Sequence, residues 1–421
     1  MSSPTGSSHP FDALTADELR AKGSNKWSTY PDTIGAHIAE MDFGVADPVR
    51  KSFDILDARD LYGYAPESLY ADMRAATRDF YADYSGFRVP TTHIDSLPDV
   101  LTAFEMAIRF YSAPGSKIVL MTPAYMPFFI TPGLHDREIV EVPMLRDEPG
   151  EGAAQDGTQG ASAVWRVDYE GLDRAFADGG GLLVLVNPHN PIGKVYTAEE
   201  LERIGRIVQA HGARVFSDEI HGPLVYAGGR HVPYASVNEV NAGHTVTATA
   251  ASKAFNLPGL KCAQILFHTD DDLAVWKQKG TFYAHMAANP GLLATIAAYR
   301  EGGAWLDDVR GYLDGNRRRI AELVASHLPG VRYDVPDGTY IGWLDLRGAE
   351  ITGPAAEFDL STKDGTRSLH QFLMTEAKVS YTNGGLCGAD VTGCMRLNFA
   401  LPRPILEEAL LNTGKSLGLS S

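Results

Sequence analysis

The stretch "TVTATAASKAFNLPGL", Thr245 to Leu260, combines a buried strand with a polar loop. Its first six residues, Thr245 to Ala250, are small or β-branched and predict a strand that is covered on both faces. Lys253 follows directly, and the loop after it contains Pro258 and Gly259. Because lysines usually lie on the surface, Lys253 taken alone is either an ordinary surface lysine or a reactive amine at the end of a strand.

Similar apolar runs recur along the chain and alternate with helical patterns. They are "KIVLMTP" (117–123), "GLLVLVNP" (181–188) and "ARVFSDE" (213–219). Between the last two lies "TAEELERIGRIVQAHG", in which Thr197 and Glu200 form a capping-box signature and Leu201, Ile204 and Val208 share one face. The order strand, helix, strand predicts an α/β fold with a mostly parallel sheet flanked by helices.

The pattern of apolar and polar residues changes from about Gly302. The segment "WLDDVRGYLDGNRRRIAELVASHL" predicts a long helix, and "YIGWLDL" and "CMRLNFA" predict alternating strands. We therefore expect a large domain over residues 46–300 and a smaller α+β domain over residues 301–421, which an N-terminal segment, residues 1–45, joins. The stretch "RDEPGEGAAQDGTQGAS", Arg146 to Ser162, predicts a surface excursion.

Composition narrows the classes of function. The chain has 421 residues, 44% hydrophobic and 21% charged, with a net charge of −16, so nucleic acid and anionic membranes are poor partners. Three scattered cysteines suit neither a disulfide framework nor a metal site, and favour reduced thiols in the cytoplasm. The N-terminal "MSSPTGSSHP" lacks the features of a signal peptide, and no apolar run approaches about 20 residues, so we expect no membrane span.

Polar side chains follow three of the predicted strands. They are an amide (Asn190), an acid with a nearby imidazole (Asp218, His221) and an amine (Lys253). Ligands of open α/β sheets bind at the carboxyl ends of the strands, where these groups would meet. Pyridoxal phosphate needs such a set: a lysine for its aldehyde, a carboxylate for its ring nitrogen and a hydrogen-bond donor for its phenolate oxygen. Each residue alone has an ordinary reading as a turn, a helix cap, a structural histidine or a surface lysine.

Longer motifs give the sequence a family resemblance. It resembles the fold-type I pyridoxal-phosphate enzymes of the class I/II aminotransferase superfamily, and within them the cystathionine β-lyase branch typified by the MalY and PatB carbon–sulfur lyases. The matching motifs span nearly the whole chain: "IAEMDF" (38–43), "YGYAP" (62–66), "PAYMPF" (123–128), "NPHNPIG" (187–193), "SDEIHGPLVY" (217–226), "SKAFNLPGL" (252–260), "GTYIGWLDLR" (338–347) and "RLNFALPR" (396–403).

The resemblance implies roles for residues around the cofactor ring. Lys253 would form the Schiff base and later remove the Cα proton of the substrate, and Asp218 would pair with the pyridinium nitrogen. Asn190 would hydrogen-bond the phenolate oxygen, with His221 nearby. Tyr125 would stack on the ring, where the alternative is ordinary core packing.

The resemblance also implies a phosphate site that two subunits share. Backbone N–H groups of Val100 and Leu101 at a helix start would hold the phosphate together with Ser252 and Lys261. Tyr64 would reach the phosphate from a neighbouring subunit, which implies a homodimer with shared active sites.

The substrate would lie beside the cofactor. Arg396 would bind its α-carboxylate through a bidentate contact, where the alternative is a surface salt bridge. Four further residues are implied in substrate binding: His37, Glu40, Tyr340 and Asn383.

The implied reaction starts from an L-amino acid that carries sulfur on Cβ, cystathionine-like or a larger cysteine conjugate, of the kind some relatives use in secondary metabolism. Proton removal at Cα and cleavage of the Cβ–S bond would give a thiol, pyruvate and ammonia. Two alternatives stay open. One is an aminotransferase or a decarboxylating, oxidative deaminase on an S-substituted cysteine, and the other is a non-enzymatic regulator with this fold.

Four positions depart from the usual motifs of the branch. His37 and Glu40 stand in "HIAEMDF" where "WVADMDF" is usual, Asp99 stands where the phosphate turn has glycine, and Pro223 replaces an aspartate. An acid near a phosphate is unfavourable unless it points away or caps the helix. His37 could protonate a leaving group or relay a proton, and the alternative is sequence drift without effect.

Overall fold

The computed structural model describes residues 9–147, 164–358, 360 and 368–419. The excursion predicted from Arg146 to Ser162 lies, beyond Asp147, outside the described residues. The strands are β1 (Ile34–Gly35), β2 (Ile94–Leu97), β3 (Lys117–Thr122), β4 (Ile139–Pro143), β5 (Leu145–Arg146), β6 (Trp165–Arg166), β7 (Gly180–Val186), β8 (Arg214–Asp218), β9 (Thr245–Thr249), β10 (Ala263–Phe267), β11 (Arg332–Tyr333), β12 (Ile341–Asp345), β13 (Val379–Ser380), β14 (Thr382–Asn383) and β15 (Cys394–Asn398).

Helices connect and cover these strands. The α-helices are α1 (Ala16–Ala21), α2 (Asn25–Ser28), α3 (Asp47–Ala58), α4 (Glu67–Ser85), α5 (Val100–Tyr111), α6 (Pro127–Ile130), α7 (Tyr169–Ala177), α8 (Ala198–Ala210), α9 (Glu239–Gly243), α10 (Ala251–Ala254), α11 (Asp270–Lys279), α12 (Thr281–Ala284), α13 (Asn289–Glu301), α14 (Gly303–His327), α15 (Leu369–Phe372) and α16 (Arg403–Ser416). Among the described residues, no helix combines the length and the apolarity needed to cross a bilayer.

The central sheet has seven strands in the order β2-β10-β9-β8-β7-β3-β4. The pairs β9–β8, β8–β7, β7–β3 and β3–β4 are parallel, whereas β10 runs antiparallel to both of its neighbours. Leu182 and Val184 of β7 pack with helices α5 and α11 on one face, and Leu183 and Leu185 pack with α7 and α8 on the other. Burial on both faces explains why the strand sequences are continuously apolar, and the predicted α/β class is confirmed.

The capping box of helix α8 forms as its sequence predicts. The Thr197 hydroxyl accepts a hydrogen bond from the Glu200 N–H at 3.2 Å, and the Glu200 carboxylate accepts one from the Thr197 N–H at 3.0 Å. The predicted inner face of Leu201, Ile204 and Val208 is buried. This helix therefore returns the chain from β7 to β8 and leaves the carboxyl ends of both strands at the same edge.

A second sheet forms from the C-terminal part of the chain. Its order is β11-β12-β15-β14, and every pairing in it is antiparallel. The N-terminal strand β1 pairs in parallel with β13, so the segment before residue 46 packs against C-terminal elements. The domain boundaries after residues 45 and 300 stay a prediction.

Candidate active site

A cavity of about 180 Å³ opens at the carboxyl edge of the central sheet. The strands β7, β8 and β9 end at Val186, Asp218 and Thr249, and the polar residues that follow them point into this space. Nine of the predicted cofactor residues share its wall: Val100, Leu101, Tyr125, Asn190, Asp218, His221, Ser252, Lys253 and Lys261. Parallel strands thus bring together residues that are far apart in the sequence.

Lys253 lies on the short helix α10, immediately after β9. Its Nζ donates a hydrogen bond to the Ala39 carbonyl at 2.9 Å. Loss of hydration lowers its pKa to about 8, and the positive charge of Arg396 acts in the same direction, whereas Asp218 opposes the change. A larger fraction of the amine is therefore unprotonated at neutral pH than for an exposed lysine, as a nucleophile or a base requires.

Asp218 is the last residue of β8 and is buried, with 5% of its surface exposed. Its Oδ1 accepts a hydrogen bond from the Ile220 N–H at 3.1 Å. Burial raises its pKa to about 7, although that hydrogen bond and the charge of Lys253 favour the ionised form. A cationic N–H placed in the cavity would stabilise this carboxylate.

His221 is buried behind the same edge, and its Nδ1 has no hydrogen-bond partner among the described residues. Its ring meets the Tyr340 ring edge-on, with 5.8 Å between centroids. Burial holds its pKa well below the ordinary value, and the charges of Lys253 and Arg396 add to the effect. A buried, unpaired nitrogen is costly, so His221 differs from a satisfied structural histidine.

Arg396 lies in β15 of the second sheet and is buried next to the cavity. Its nitrogens donate to the His37 carbonyl at 2.8 Å, to Thr382 Oγ1 at 3.1 Å and to Asn190 Oδ1 at 3.4 Å. Its guanidinium carbon is 5.9 Å from the centre of the Tyr125 ring. Within the described residues it has no carboxylate partner, so the alternative of a surface salt bridge is wrong.

The two departures in "HIAEMDF" lie beside Arg396 and Lys253 rather than in the cavity wall. The Nδ1 of His37 is 3.0 Å from Ser380 Oγ, and its Nε2 is buried without a partner among the described residues. Burial and nearby cations lower the pKa of His37 to about 4, so its ring is neutral at neutral pH. Glu40 Oε1 accepts a hydrogen bond from the Lys26 N–H at 3.0 Å.

Tyr340 and Asn383 also lie outside the cavity wall. The hydroxyl of Tyr340 donates to the Ala39 carbonyl at 2.8 Å, the same oxygen that accepts from Lys253. The side chain of Asn383 accepts a hydrogen bond from the Gly385 N–H at 3.0 Å and caps a short 3₁₀ turn. Tyr340 therefore approaches the lysine, whereas the contact of Asn383 is with its own turn.

The predicted phosphate end lies at the start of helix α5. Val100 and Leu101 are its first residues, and their N–H groups have no acceptor within the helix. Asp99 caps the helix: its Oδ1 accepts from the Thr102 N–H at 2.8 Å. Its Oδ2 is 3.0 Å from the Nζ of Lys261.

Tyr64 is fully exposed in this single chain and lies outside the cavity wall. Tyr125 lies in the wall and meets Phe128 edge-on at 5.6 Å. Pro223 is buried in a 3₁₀ turn over Gly222–Leu224. The approach of Tyr64 from a second subunit stays a prediction.

Five consecutive main-chain carbonyls beside the cavity each accept a hydrogen bond from a buried or part-buried side chain, which sequence reasoning missed. We call residues His37 to Met41 the carbonyl segment. Its donors, in order, are Arg396 and Thr382 to His37, Asn398 to Ile38, Lys253 and Tyr340 to Ala39, Asn398 and Lys26 to Glu40, and Asn256 to Met41. The two asparagines stand within "SKAFNLPGL" and "RLNFALPR". The motifs therefore contained the donors, but they did not indicate which carbonyls accept from them.

A buried ion pair supports the same segment. Lys26 Nζ lies 3.1 Å from Asp42 Oδ2, and neither side chain is more than 3% exposed. The indole N–H of Trp27 donates to the other oxygen of Asp42 at 2.9 Å. This pair joins helix α2 to the residues that follow the carbonyl segment.

A lysine, a buried carboxylate and a buried imidazole at the carboxyl edge of a mostly parallel sheet define a pyridoxal-phosphate enzyme of fold type I. Residues 31–411 match the model of the aminotransferase class I and II family, and the chain belongs to that family.

Its relatives include a cystathionine β-lyase from Corynebacterium glutamicum, 33% identical over 94% of this chain and 96% of that protein. The cystathionine β-lyase PatB from Bacillus subtilis is 29% identical over 90% of this chain and 91% of that protein. The crystal structure of a candidate PLP-dependent β-cystathionase from Corynebacterium diphtheriae is 31% identical, with a TM-score of 0.84 over 97% of this chain and 99% of that one. The resemblance to this branch is confirmed.

Proposed function

We propose that this protein is a pyridoxal-phosphate-dependent carbon–sulfur β-lyase that cleaves an L-cysteine S-conjugate. The observation that carries the proposal is the convergence of Lys253, Asp218 and His221 in one cavity. Arg396 lies beside this cavity and has no carboxylate partner among the described residues. Relatives named as cystathionine β-lyases over nearly the whole chain support the reaction type.

The residues present fit the cofactor. The amine of Lys253 would bind its aldehyde, and Asp218 would hold its ring nitrogen, which relieves the cost of a buried carboxylate. His221 Nδ1, unpaired among the described residues, and Asn190 would face its polar ring substituent, with Tyr125 beside the ring. When bound, pyridoxal phosphate supplies an electron sink for the electron pair that remains after a proton leaves Cα.

The phosphate end is assigned to the start of helix α5. The free N–H groups of Val100 and Leu101 would donate to it, since a helix N-terminus favours an anion. Ser252 and Lys261 line the same cavity and would complete the site.

Arg396 would bind the α-carboxylate of the substrate. It is already oriented by the His37 carbonyl and by Thr382, so little side-chain freedom remains to be lost on binding. Its fork geometry suits a bidentate contact with a carboxylate. That contact would fix which substituent of Cα faces Lys253.

Lys253 would move the proton. Its Nζ accepts the Cα proton, and the hydrogen bond to Ala39 together with the nearby Tyr340 hydroxyl keeps the amine oriented. The proton held on Nζ is then available to the departing sulfur. His37, neutral with a pKa of about 4, is not a proton donor at neutral pH, so we assign it to substrate binding rather than to acid catalysis.

The overall reaction balances as substrate plus water giving thiol, pyruvate and ammonia. The Cα–H and Cβ–S bonds break, the sulfur and Cβ each gain a proton, and hydrolysis replaces nitrogen by oxygen on Cα. No net oxidation occurs. Neutral His37 and the carboxylate of Glu40 belong to the carbonyl segment, along which the sulfur substituent of a larger conjugate would extend.

We include a homodimer in the proposal. Tyr64 and Tyr62 are 103% and 67% exposed in the single chain, which is unusual for two large aromatic side chains on one loop. A second copy that covers this loop would bring Tyr64 to the phosphate end of the partner's cavity. We also propose a reducing, cytoplasmic location, because all three cysteines are free and buried.

Transamination is the second candidate, because the matching family model is that of aminotransferases. The two reactions differ in their products. A lyase releases thiol and pyruvate without a keto-acid acceptor, whereas an aminotransferase needs the acceptor and leaves the carbon–sulfur bond intact.

The test is to incubate purified holoprotein with cystathionine and a panel of S-alkyl cysteines, and to measure thiol and pyruvate separately. We expect both in equal amounts, and none from Lys253→Ala, which also loses the visible absorption of lysine-bound cofactor. An exposed-lysine variant, Lys51→Ala, is the control. Absence of thiol across the panel, with product only when a keto acid is added, would replace the lyase by the aminotransferase.

A further inference from the structure

The carboxylate of Asp99 occupies the phosphate end of the cavity. We propose that Asp99 is an internal anion that competes with the cofactor phosphate for Lys261 and for the first turn of helix α5. The phosphate would then be held more weakly than the helix and the lysine alone would hold it. This inference rests on the proposed cofactor site.

Both carboxylate oxygens of Asp99 engage groups at this end. Oδ1 accepts from the backbone N–H and the hydroxyl of Thr102, both at 2.8 Å, and Oδ2 accepts from Lys261 Nζ at 3.0 Å. Asp99, Val100, Leu101 and Lys261 all line the cavity. The acid therefore caps the helix, as one sequence-based reading allowed, but it does not point away from the site.

The charges at this end of the cavity explain why Asp99 competes with the phosphate. The N-terminus of α5 and the Lys261 ammonium would both attract a phosphate dianion, and one carboxylate already offsets them. Burial disfavours ionisation of Asp99, but hydrogen bonds from Thr102 and Lys261 outweigh it and hold its pKa below the ordinary value. Asp99 is therefore negatively charged at every pH at which the phosphate is a dianion.

The contact between Lys261 and Asp99 can be replaced by a contact between Lys261 and the phosphate. The side chains of Lys261 and Asp99 are 57% and 37% exposed, so solvent screens their attraction and Lys261 can turn to another anion. Binding of phosphate would take Lys261 from Asp99, or share it, while Val100 and Leu101 donate their free N–H groups. Either arrangement leaves a carboxylate close to the phosphate.

The variant Asp99→Asn separates charge from capping. Asparagine caps a helix about as well as aspartate, so helix α5 keeps its start while the negative charge is removed. We expect the dissociation constant of pyridoxal phosphate to fall roughly tenfold, as for a carboxylate several ångströms from a dianion in a largely solvated setting. Pyridoxal, which lacks the phosphate, should bind both proteins equally.

The measurement is equilibrium binding of pyridoxal phosphate and of pyridoxal to apoprotein at one fixed ionic strength. Asp136→Asn is the matched control, because Asp136 does not line the cavity and has a φ of 55° that asparagine readily adopts. In the Lys261→Met background, Asp99→Asn should tighten pyridoxal phosphate by a smaller factor, since competition for the ammonium is gone and only the repulsion between carboxylate and phosphate remains.

The inference is overturned if Asp99→Asn leaves the phosphate affinity unchanged or weaker, or if it tightens pyridoxal to the same extent. Failure of the unsubstituted protein to bind pyridoxal phosphate at all would instead overturn the proposed function. Because binding and not turnover is measured, the two failures are distinguishable.

Discussion

The protonation of Lys253 should control how fast the apoprotein takes up its cofactor. Its pKa of about 8 stands against an ordinary value of 10.5. At pH 7.5 about one quarter of such amines are unprotonated, against about one in a thousand for an ordinary lysine, so loading should be roughly 200-fold faster than for an exposed lysine. The rate should rise with pH through a midpoint near pH 8 and level off above about pH 9.

Two substitutions should move this midpoint in opposite directions. Arg396→Gln removes a positive charge that lowers the pKa of Lys253, so the midpoint should rise. Asp218→Asn removes a carboxylate that raises it and is mostly ionised near pH 8, so the midpoint should fall. Each shift should be on the order of one pH unit, as for charges several ångströms apart in partly solvated protein.

The assay follows the visible absorption of lysine-bound cofactor after apoprotein is mixed with pyridoxal phosphate at a series of pH values. The same series with Nα-acetyllysine, which keeps a free ε-amine, corrects for titration of the cofactor itself. Lys277→Gln, on helix α11, is a control whose midpoint should not shift. The midpoint is independent of amplitude, so a loss of affinity in a variant does not obscure it. A midpoint near 10, or shifts of both variants in the same direction, would refute the electrostatic reasoning.

Three further outcomes test other parts of the structure. Lys26→Met should lower the free energy of unfolding by about 3–5 kcal/mol in chemical denaturation, because it leaves the carboxylate of Asp42 buried and unpaired; a loss near zero would show that Asp42 is solvated. Thr197→Ala should cost about 1 kcal/mol in the same measurement through loss of the helix cap, while Thr197→Asp should be nearly neutral. Arg396→Lys should reduce kcat/KM by roughly 10²-fold or more, since a lysine keeps the charge but not the bidentate contact; an unchanged value would remove Arg396 from the substrate site.

The sequence predicted those site residues that parallel strands bring together. Asn190, Asp218 and Lys253 each follow an apolar run, and such runs end at one edge whatever the loops between them do. Local pattern therefore contained the fold class and the part of the cavity wall that follows these strands, whereas Val100, Leu101, Tyr125, Ser252 and Lys261 came from the family resemblance.

The rest of the site depends on contacts between distant segments. The carbonyl of Ala39 accepts a hydrogen bond from Lys253, 214 residues further along the chain. Every residue has a main-chain carbonyl, so the sequence does not indicate which carbonyl is the acceptor. The pairing of Asp99 with Lys261 and the low pKa of His37 likewise follow from burial and neighbours that no local spacing encodes. For His37, a pKa of about 4 argues against a proton donor at neutral pH, and its role stays a prediction.

The carbonyl segment has a consequence for how this enzyme can change. Its five carbonyls are anchored through oxygens that every amino acid possesses, so the anchoring is indifferent to the side chains carried at those positions. Side chains at positions 37 and 40 can therefore change while the main chain beside Lys253 stays in place. The donors have no such freedom: replacing Asn398 would release two of these anchors, and replacing Asn256 would release one. Sequence change is therefore expected at the anchored residues more than at the residues that hold them.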